Sequence, residues 1–123
     1  MKNTFFIFIM VFGFSCKSLS NSKTTVIDLE TFKTTVLGKD VQLVDVRTIQ
    51  EYKAGHIDDA IHIDISKPEE FAQKFQKLHK DKPVYIYCQA GVRSHKASKL
   101  LEEMGFKSIF DFKGGYSTWK KQL

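Results

Sequence analysis

Val84-Tyr85-Ile86-Tyr87-Cys88-Gln89-Ala90-Gly91-Val92-Arg93-Ser94 is the stretch that decides the fold. Val84–Tyr87 follows Pro83 as a short run of β-branched and aromatic residues, the composition of a strand buried on both faces. Ser94–Met104 then reads as a helix stopped by Gly105, with Ser94 as its expected N-cap. Only a tight turn lies between them, and that turn carries a cysteine. Successive backbone N–H groups in such a turn can face inward as an anion cradle, and the helix dipole adds positive charge at the same place. Both effects favour thiolate over thiol, and the thiolate is the reactive form. Gly91 suits a backbone position that excludes a side chain. The Arg93 donor fork could hold an anionic substrate or the loop itself. Gln89, Ala90 and Val92 are then candidates to shape the pocket rim. The bland alternative is a small, inert cysteine packed at a strand end.

Outward from this turn, strand-like and helix-like runs alternate. Strands are expected over Thr24–Asp28, Val41–Val46, Ala60–Ile63 and Ser108–Phe112, around the central Val84–Tyr87. Helices are expected over Leu29–Leu37, Thr48–Ala54, Glu69–Leu78 after Pro68, Ser94–Met104 and Tyr116–Gln122. That alternation predicts an α/β domain with a mostly parallel sheet of about five strands and helices on both faces. Ligands in such sheets bind beyond the carboxyl ends of the strands, which again points to the Cys88 turn.

The 123 residues suffice for one domain with a modest core. Net charge is +5, with basic and acidic residues interleaved along the chain, so the charge is read as a solvated surface and not as a nucleic-acid footprint. Residues 1–15 open with the charged start Met1-Lys2-Asn3 and continue as the mostly apolar run Thr4–Phe14, too short for a membrane span, which needs about 20 residues. This is the pattern of an export signal. Ser15-Cys16 at its end resembles the bacterial lipoprotein signal, although Gly13 and Phe14 depart from the usual residues. The resemblance implies cleavage before Cys16, lipidation of its thiol and anchoring of the domain to a membrane of the cell envelope. Residues 16–23 would be a flexible tether, and residues 24–123 the folded domain. Cleavage elsewhere in Ser15–Ser22 is the alternative.

Three blocks resemble the rhodanese family. Cys88-Gln89-Ala90-Gly91-Val92-Arg93-Ser94 is similar to that family's active-site loop, Cys-x-x-Gly-x-Arg-Ser/Thr. Asp45-Val46-Arg47, Glu51-Tyr52, Gly55-His56-Ile57 and Ala60-Ile61 follow the family's series in order and spacing. Gly114-Gly115-Tyr116 with Trp119 resembles its C-terminal signature. The resemblance implies the rhodanese-like three-layer fold and a two-step cycle. In that cycle Cys88 takes a sulfane sulfur from a small sulfur-containing anion such as thiosulfate, becomes a persulfide, and yields the sulfur to cyanide or to a thiol, free or on a protein. It implies neither metal nor organic cofactor. Asp45, Arg47 and Glu51 are expected to form an internal ion-pair network, and His56 to order its loop through hydrogen bonds. His62, His79 and His95 show no metal-ligand spacing with Cys88.

Loop length bears on the chemistry. Four residues separate Cys88 from Arg93, whereas phosphatases and arsenate reductases of related architecture use one more, enough to surround a tetrahedral oxyanion. The shorter loop suits a single sulfur atom. Three functional classes stay open: a sulfurtransferase, an idle binding module using the same cradle, and a redox-sensing thiol. Cys88 is the only cysteine of residues 24–123, so a disulfide cycle within the domain is excluded.

Overall fold

The computed structural model describes residues 22–123. Cys16 and the expected export signal and anchor lie outside them. No helix among the described residues is long and apolar enough to cross a membrane.

The elements alternate: β1 (Thr24–Ile27), α1 (Leu29–Thr35), β2 (Gln42–Asp45), α2 (Ile49–Ala54), β3 (Ile61–His62), α3 (Pro68–Gln76), β4 (Val84–Tyr87), α4 (Val92–Glu103), β5 (Ile109–Phe112) and α5 (Gly115–Lys120). All strand pairs are parallel, in the order β1-β5-β4-β2-β3. The α/β fold with a five-stranded parallel sheet is therefore as the alternation implied. β4 is flanked on both sides, and all four of its residues are buried.

The period-2 alternation of strand side chains divides the core into two layers. Val84 and Ile86 face a cluster with Phe71 and Phe75 of α3 and Ala97 and Leu101 of α4. Tyr85 and Tyr87 face the opposite cluster, which holds Phe32 of α1, Phe112 of β5 and Trp119 of α5. Phe32 stacks on Phe112 at 4.3 Å between centroids and meets the edge of Trp119. Helices on both faces thus hold β4 in place and fix the position of the residue that follows it, Cys88.

Several boundaries differ from expectation for local reasons. Asp28 is not part of β1; its side chain caps α1 by accepting from Thr31 N at 2.9 Å. β3 pairs over two residues only. The largest difference is at α4, which begins at Val92 and not at Ser94. Gly91 takes a φ of +92° and turns the chain directly into the helix. Ser94 is consequently not the N-cap. It lies within the first turn, buried, where its Oγ accepts from the Cys88 thiol and its hydroxyl donates to Gly91 O.

Candidate active site

Cys88 emerges from the carboxyl end of β4 with 1% of its surface exposed. Its Sγ accepts the Gly91 N–H at 3.1 Å. The thiol in turn donates to Ser94 Oγ at 3.6 Å, and Ser94 donates to Gly91 O at 3.3 Å. The sulfur therefore sits inside its own loop, at the N-terminal end of a twelve-residue helix.

The loop carbonyls are held outward by α5. Tyr116 N donates to Cys88 O at 2.8 Å, and Ser117 N donates to Gln89 O at 3.1 Å. One arrangement thereby satisfies two otherwise unpaired N–H groups of a helix start and two loop carbonyls. A trans peptide points its N–H opposite its C=O, so the N–H groups of Gln89 and Ala90 face away from α5. Gly115 makes this approach possible. Its φ is +60°, and a Cβ there would lie 2.5 Å from Cys88 O and 2.8 Å from Gln89 O. Gly91 is similarly constrained, with Lys113 O 2.7 Å from any added Cβ.

Two arginine–carboxylate pairs frame the loop. Arg47 is buried and grips Asp45 through Nε, at 3.0 Å from both carboxylate oxygens, and through Nη2, at 2.7 Å from Oδ2. Its Nη2 also donates to Gly55 O at 2.7 Å, and Nη1 reaches Gln89 Oε1 at 3.2 Å. The guanidinium lies 4.3 Å from the centroid of the Tyr116 ring, a cation–π contact. Arg47 therefore ties β2, the turn after α2, the cysteine loop and α5 together. Burial works against its charge, and Asp45 more than offsets that.

Glu51 does not join the Asp45–Arg47 pair, contrary to expectation. Its carboxylate is engaged by Arg93, through Nη1 to Oε1 and through Nη2 to Oε2 at 2.9 Å. The physical reason is position. Glu51 is the third residue of α2 and closes a capping box with Thr48, which turns its carboxylate toward the first turn of α4. The Arg93 guanidinium, aided by Thr48, pulls the Glu51 carboxyl down to about 2. Arg93 is raised in turn by Glu51, and the Cys88 sulfur is among the smaller contributors. About one third of each side chain is exposed.

Of the remaining expected residues, Val92 is 80% exposed at the rim, Ala90 is exposed and Gln89 is half-buried. His56 is exposed; its ring stacks on Tyr52 at 3.9 Å, and Nδ1 lies 3.0 Å from Tyr52 O. Both contacts order the turn, and neither reaches Cys88. No group of three or more His, Cys, Asp or Glu among the described residues could hold a metal ion.

Sequence reading alone did not single out Asp111. It is buried on β5, and its Oδ1 has no hydrogen-bond partner among the described residues. The signal was a charged residue facing the core within the strand-like run Ile109-Phe110-Asp111-Phe112.

A buried cysteine at the end of a central parallel strand, its sulfur accepting a backbone N–H inside a loop that opens a helix, defines the class of α/β protein to which this site belongs. Residues 28–122 match the rhodanese-like domain family, and the chain belongs to that family. It is 37% identical over 82 residues to the thiosulfate sulfurtransferase GlpE of Coxiella burnetii, covering 67% of this chain and 74% of that one. It is also 33% identical over 106 residues to the tRNA uridine(34) hydroxylase of Pelagibacter ubique, covering 86% of this chain and 35% of that larger protein. The crystal structure of a rhodanese-like domain protein from Staphylococcus aureus superposes with a TM-score of 0.68 at 32% identity, covering 77% of this chain and 90% of that one. The family and its sulfurtransferase relatives support a sulfur-transfer role.

Proposed function

We propose that the protein is a sulfurtransferase in which Cys88 carries a sulfane sulfur between a small anionic donor and a thiophilic acceptor. The observation that carries this reading is the Gly91 N–H directed at Cys88 Sγ at 3.1 Å, at the start of α4. A backbone donor and a helix N-terminus both stabilise negative charge on sulfur. The neighbouring loop N–H groups, turned away from α5, would extend that stabilisation to the outer sulfur of a persulfide.

In the first half-reaction the Cys88 thiolate attacks the outer sulfur of thiosulfate. The new S–S bond forms as the old one breaks, and sulfite leaves with the electron pair. In the second, an acceptor attacks the outer sulfur of the persulfide and Cys88 leaves as thiolate. Cyanide becomes thiocyanate, and a thiol becomes a persulfide. Splitting one transfer in two is the advantage of covalent catalysis. The Arg93–Glu51 clamp fixes the rim past which the donor enters. Arg93 keeps a partly exposed positive face for it.

The full chain, incubated with thiosulfate and examined by intact mass, is expected to gain one sulfur atom, and Cys88→Ser is expected to gain none. Oxygen adducts alone would favour a redox-sensing thiol, and no adduct would favour an idle binding module. We further propose that the domain is held at a membrane of the cell envelope through lipid on Cys16. Growth with labelled palmitate is expected to label the protein, and an unlabelled band would end that proposal.

A further inference from the structure

Among the described residues β1 is an edge strand, paired on one side only, with β5. Along a parallel pair, alternate residues turn their backbone groups to the neighbour. On β1 these are the odd-numbered ones: Lys23 O accepts from Ile109 N at 2.9 Å, and Ile27 O from Lys113 N at 3.3 Å. The even-numbered residues therefore present N–H and C=O to the open edge. Thr24 is served there by Ser22, whose Oγ accepts from Thr24 N at 3.3 Å and donates to Thr24 O at 3.4 Å. Asp28 belongs to the start of α1, where its carbonyl accepts from Phe32 N. What stays open is Val26, with its side chain 55% exposed.

A cavity lies on each face of the sheet at this edge. One, of about 790 Å³, is walled by Leu29 and Thr31 of α1 and by Ser117 and Thr118 of α5. The other, of about 440 Å³, is walled by Val92 and His95 of α4. α4 covers one core layer, and α1 and α5 cover the other, so the cavities are on opposite faces. Val26, Ala90 and Lys113 line both, and Ala90 makes them continuous with the cysteine loop.

An extended segment laid outside β1 pairs with Val26 and sends successive side chains to opposite faces, hence alternately into the two cavities. Backbone pairing with pockets for alternate side chains is how a peptide docks on a sheet edge. A small thiol uses neither the pairing nor both cavities. Lys113 is exposed and has no carboxylate partner among the described residues, so an acidic residue of the segment meets an unpaired ammonium. With strands about 4.8 Å apart, the segment lies roughly 14 Å from β4. About four or five extended residues span that gap.

We propose that the open edge of β1 docks an extended, acidic segment of a protein thiol acceptor, which carries a cysteine farther along that segment to the persulfide on Cys88. This deepens the sulfurtransferase reading and rests on it. The acceptor thiol, its proton lost to water, attacks the outer sulfur. The S–S bond to Cys88 breaks, Cys88 leaves as thiolate, and the partner carries the persulfide.

The probe is the synthetic peptide Thr-Val-Thr-Glu-Gly-Gly-Cys, offered to the full chain after loading with thiosulfate, with sulfur transfer followed by mass. It is expected to accept sulfur about tenfold faster than Gly-Gly-Cys, and equal rates would overturn the proposal. Val26→Pro deletes the outward N–H and spares the β1–β5 ladder, a placement that edge strands tolerate. It should abolish the advantage while leaving sulfur uptake and transfer to Gly-Gly-Cys unchanged; an advantage that survives it overturns the proposal. Should Val26→Pro not fold, Lys113→Glu decides. It is expected to reverse the preference between this peptide and the one with Lys in place of Glu, and an unreversed preference overturns the docking site. A wild-type dimer in sedimentation that Val26→Pro dissociates would assign the edge to a second copy of this chain, against the proposal. The same peptide with Ser in place of Cys should protect the Val26 amide from hydrogen exchange. Sulfur uptake by Cys88 without that protection overturns the docking site alone. No uptake overturns the sulfurtransferase reading, and the proposal with it.

Discussion

The two arginine–carboxylate pairs beside Cys88 use the same chemistry in opposite surroundings. Asp45–Arg47 is almost wholly buried, with 0% and 2% of the side chains exposed, whereas Glu51–Arg93 leaves about a third of each in water. Removing one partner of a buried pair leaves an unpaired charge in low dielectric, while water repairs most of the loss at a half-exposed pair. Arg47 also spends its remaining donors on Gly55 O and Gln89 Oε1, so it joins segments distant in sequence. Arg93 touches only Glu51 among the hydrogen-bond partners observed. The inner pair therefore belongs to the frame of the domain, and the outer pair to the mouth of the site.

That contrast can be broken in four ways, taken from the largest effect down. Arg47→Ala is expected to lower unfolding free energy by about 3–5 kcal/mol in denaturant titrations. A loss under about 1 kcal/mol would place the frame elsewhere. Gly115→Ala forces a side chain onto a left-handed backbone and against the Cys88 and Gln89 carbonyls. It should cost about 1–3 kcal/mol and slow sulfur uptake from thiosulfate beyond what partial unfolding explains. Arg93→Ala should cost at most about 1 kcal/mol, yet reduce the rate of the donor half-reaction about tenfold; equal and large losses of both would make it a frame residue like Arg47. The smallest effect is a pH signature. The Glu51 carboxyl, ordinarily near 4.5, is held at about 2 when folded. A depressed carboxyl contributes stability above its unfolded value, and that contribution is lost as pH falls through the folded one. Melting temperature should accordingly decline between pH 4.5 and about 2, and Glu51→Gln should flatten that part of the curve.

Much of the fold was legible because its central strand and loop adjoin in sequence. The run Val84–Tyr87 announces a buried strand, and the turn to a helix follows at once, so Cys88 and Gly91 could be placed from local pattern. The start of α4 was misjudged because Ser94 is a good cap by composition, whereas the positive φ of Gly91 is a backbone property that favours an earlier start. The partner of Arg93 was hidden by distance, since Glu51 lies 42 residues away and Asp45 and Arg47 offered nearer charges. Gly115 was visible as part of a signature, but not as the space into which the Cys88 carbonyl fits. Asp111 was hidden for a different reason: a polar residue in an edge-adjacent strand reads as a solvent-facing one until Ile109, on the same face two residues before it, is seen to lie in the layer under α4.

The account centres on a backbone cradle that holds one extra sulfur on Cys88. A crystal of the protein soaked in thiosulfate measures this directly. Density for a single additional sulfur bonded to Cys88 Sγ, with that outer atom facing the N–H groups of the loop between Gln89 and Arg93, is the result expected. Unchanged density at Cys88, or an outer atom turned away from those N–H groups, would contradict it.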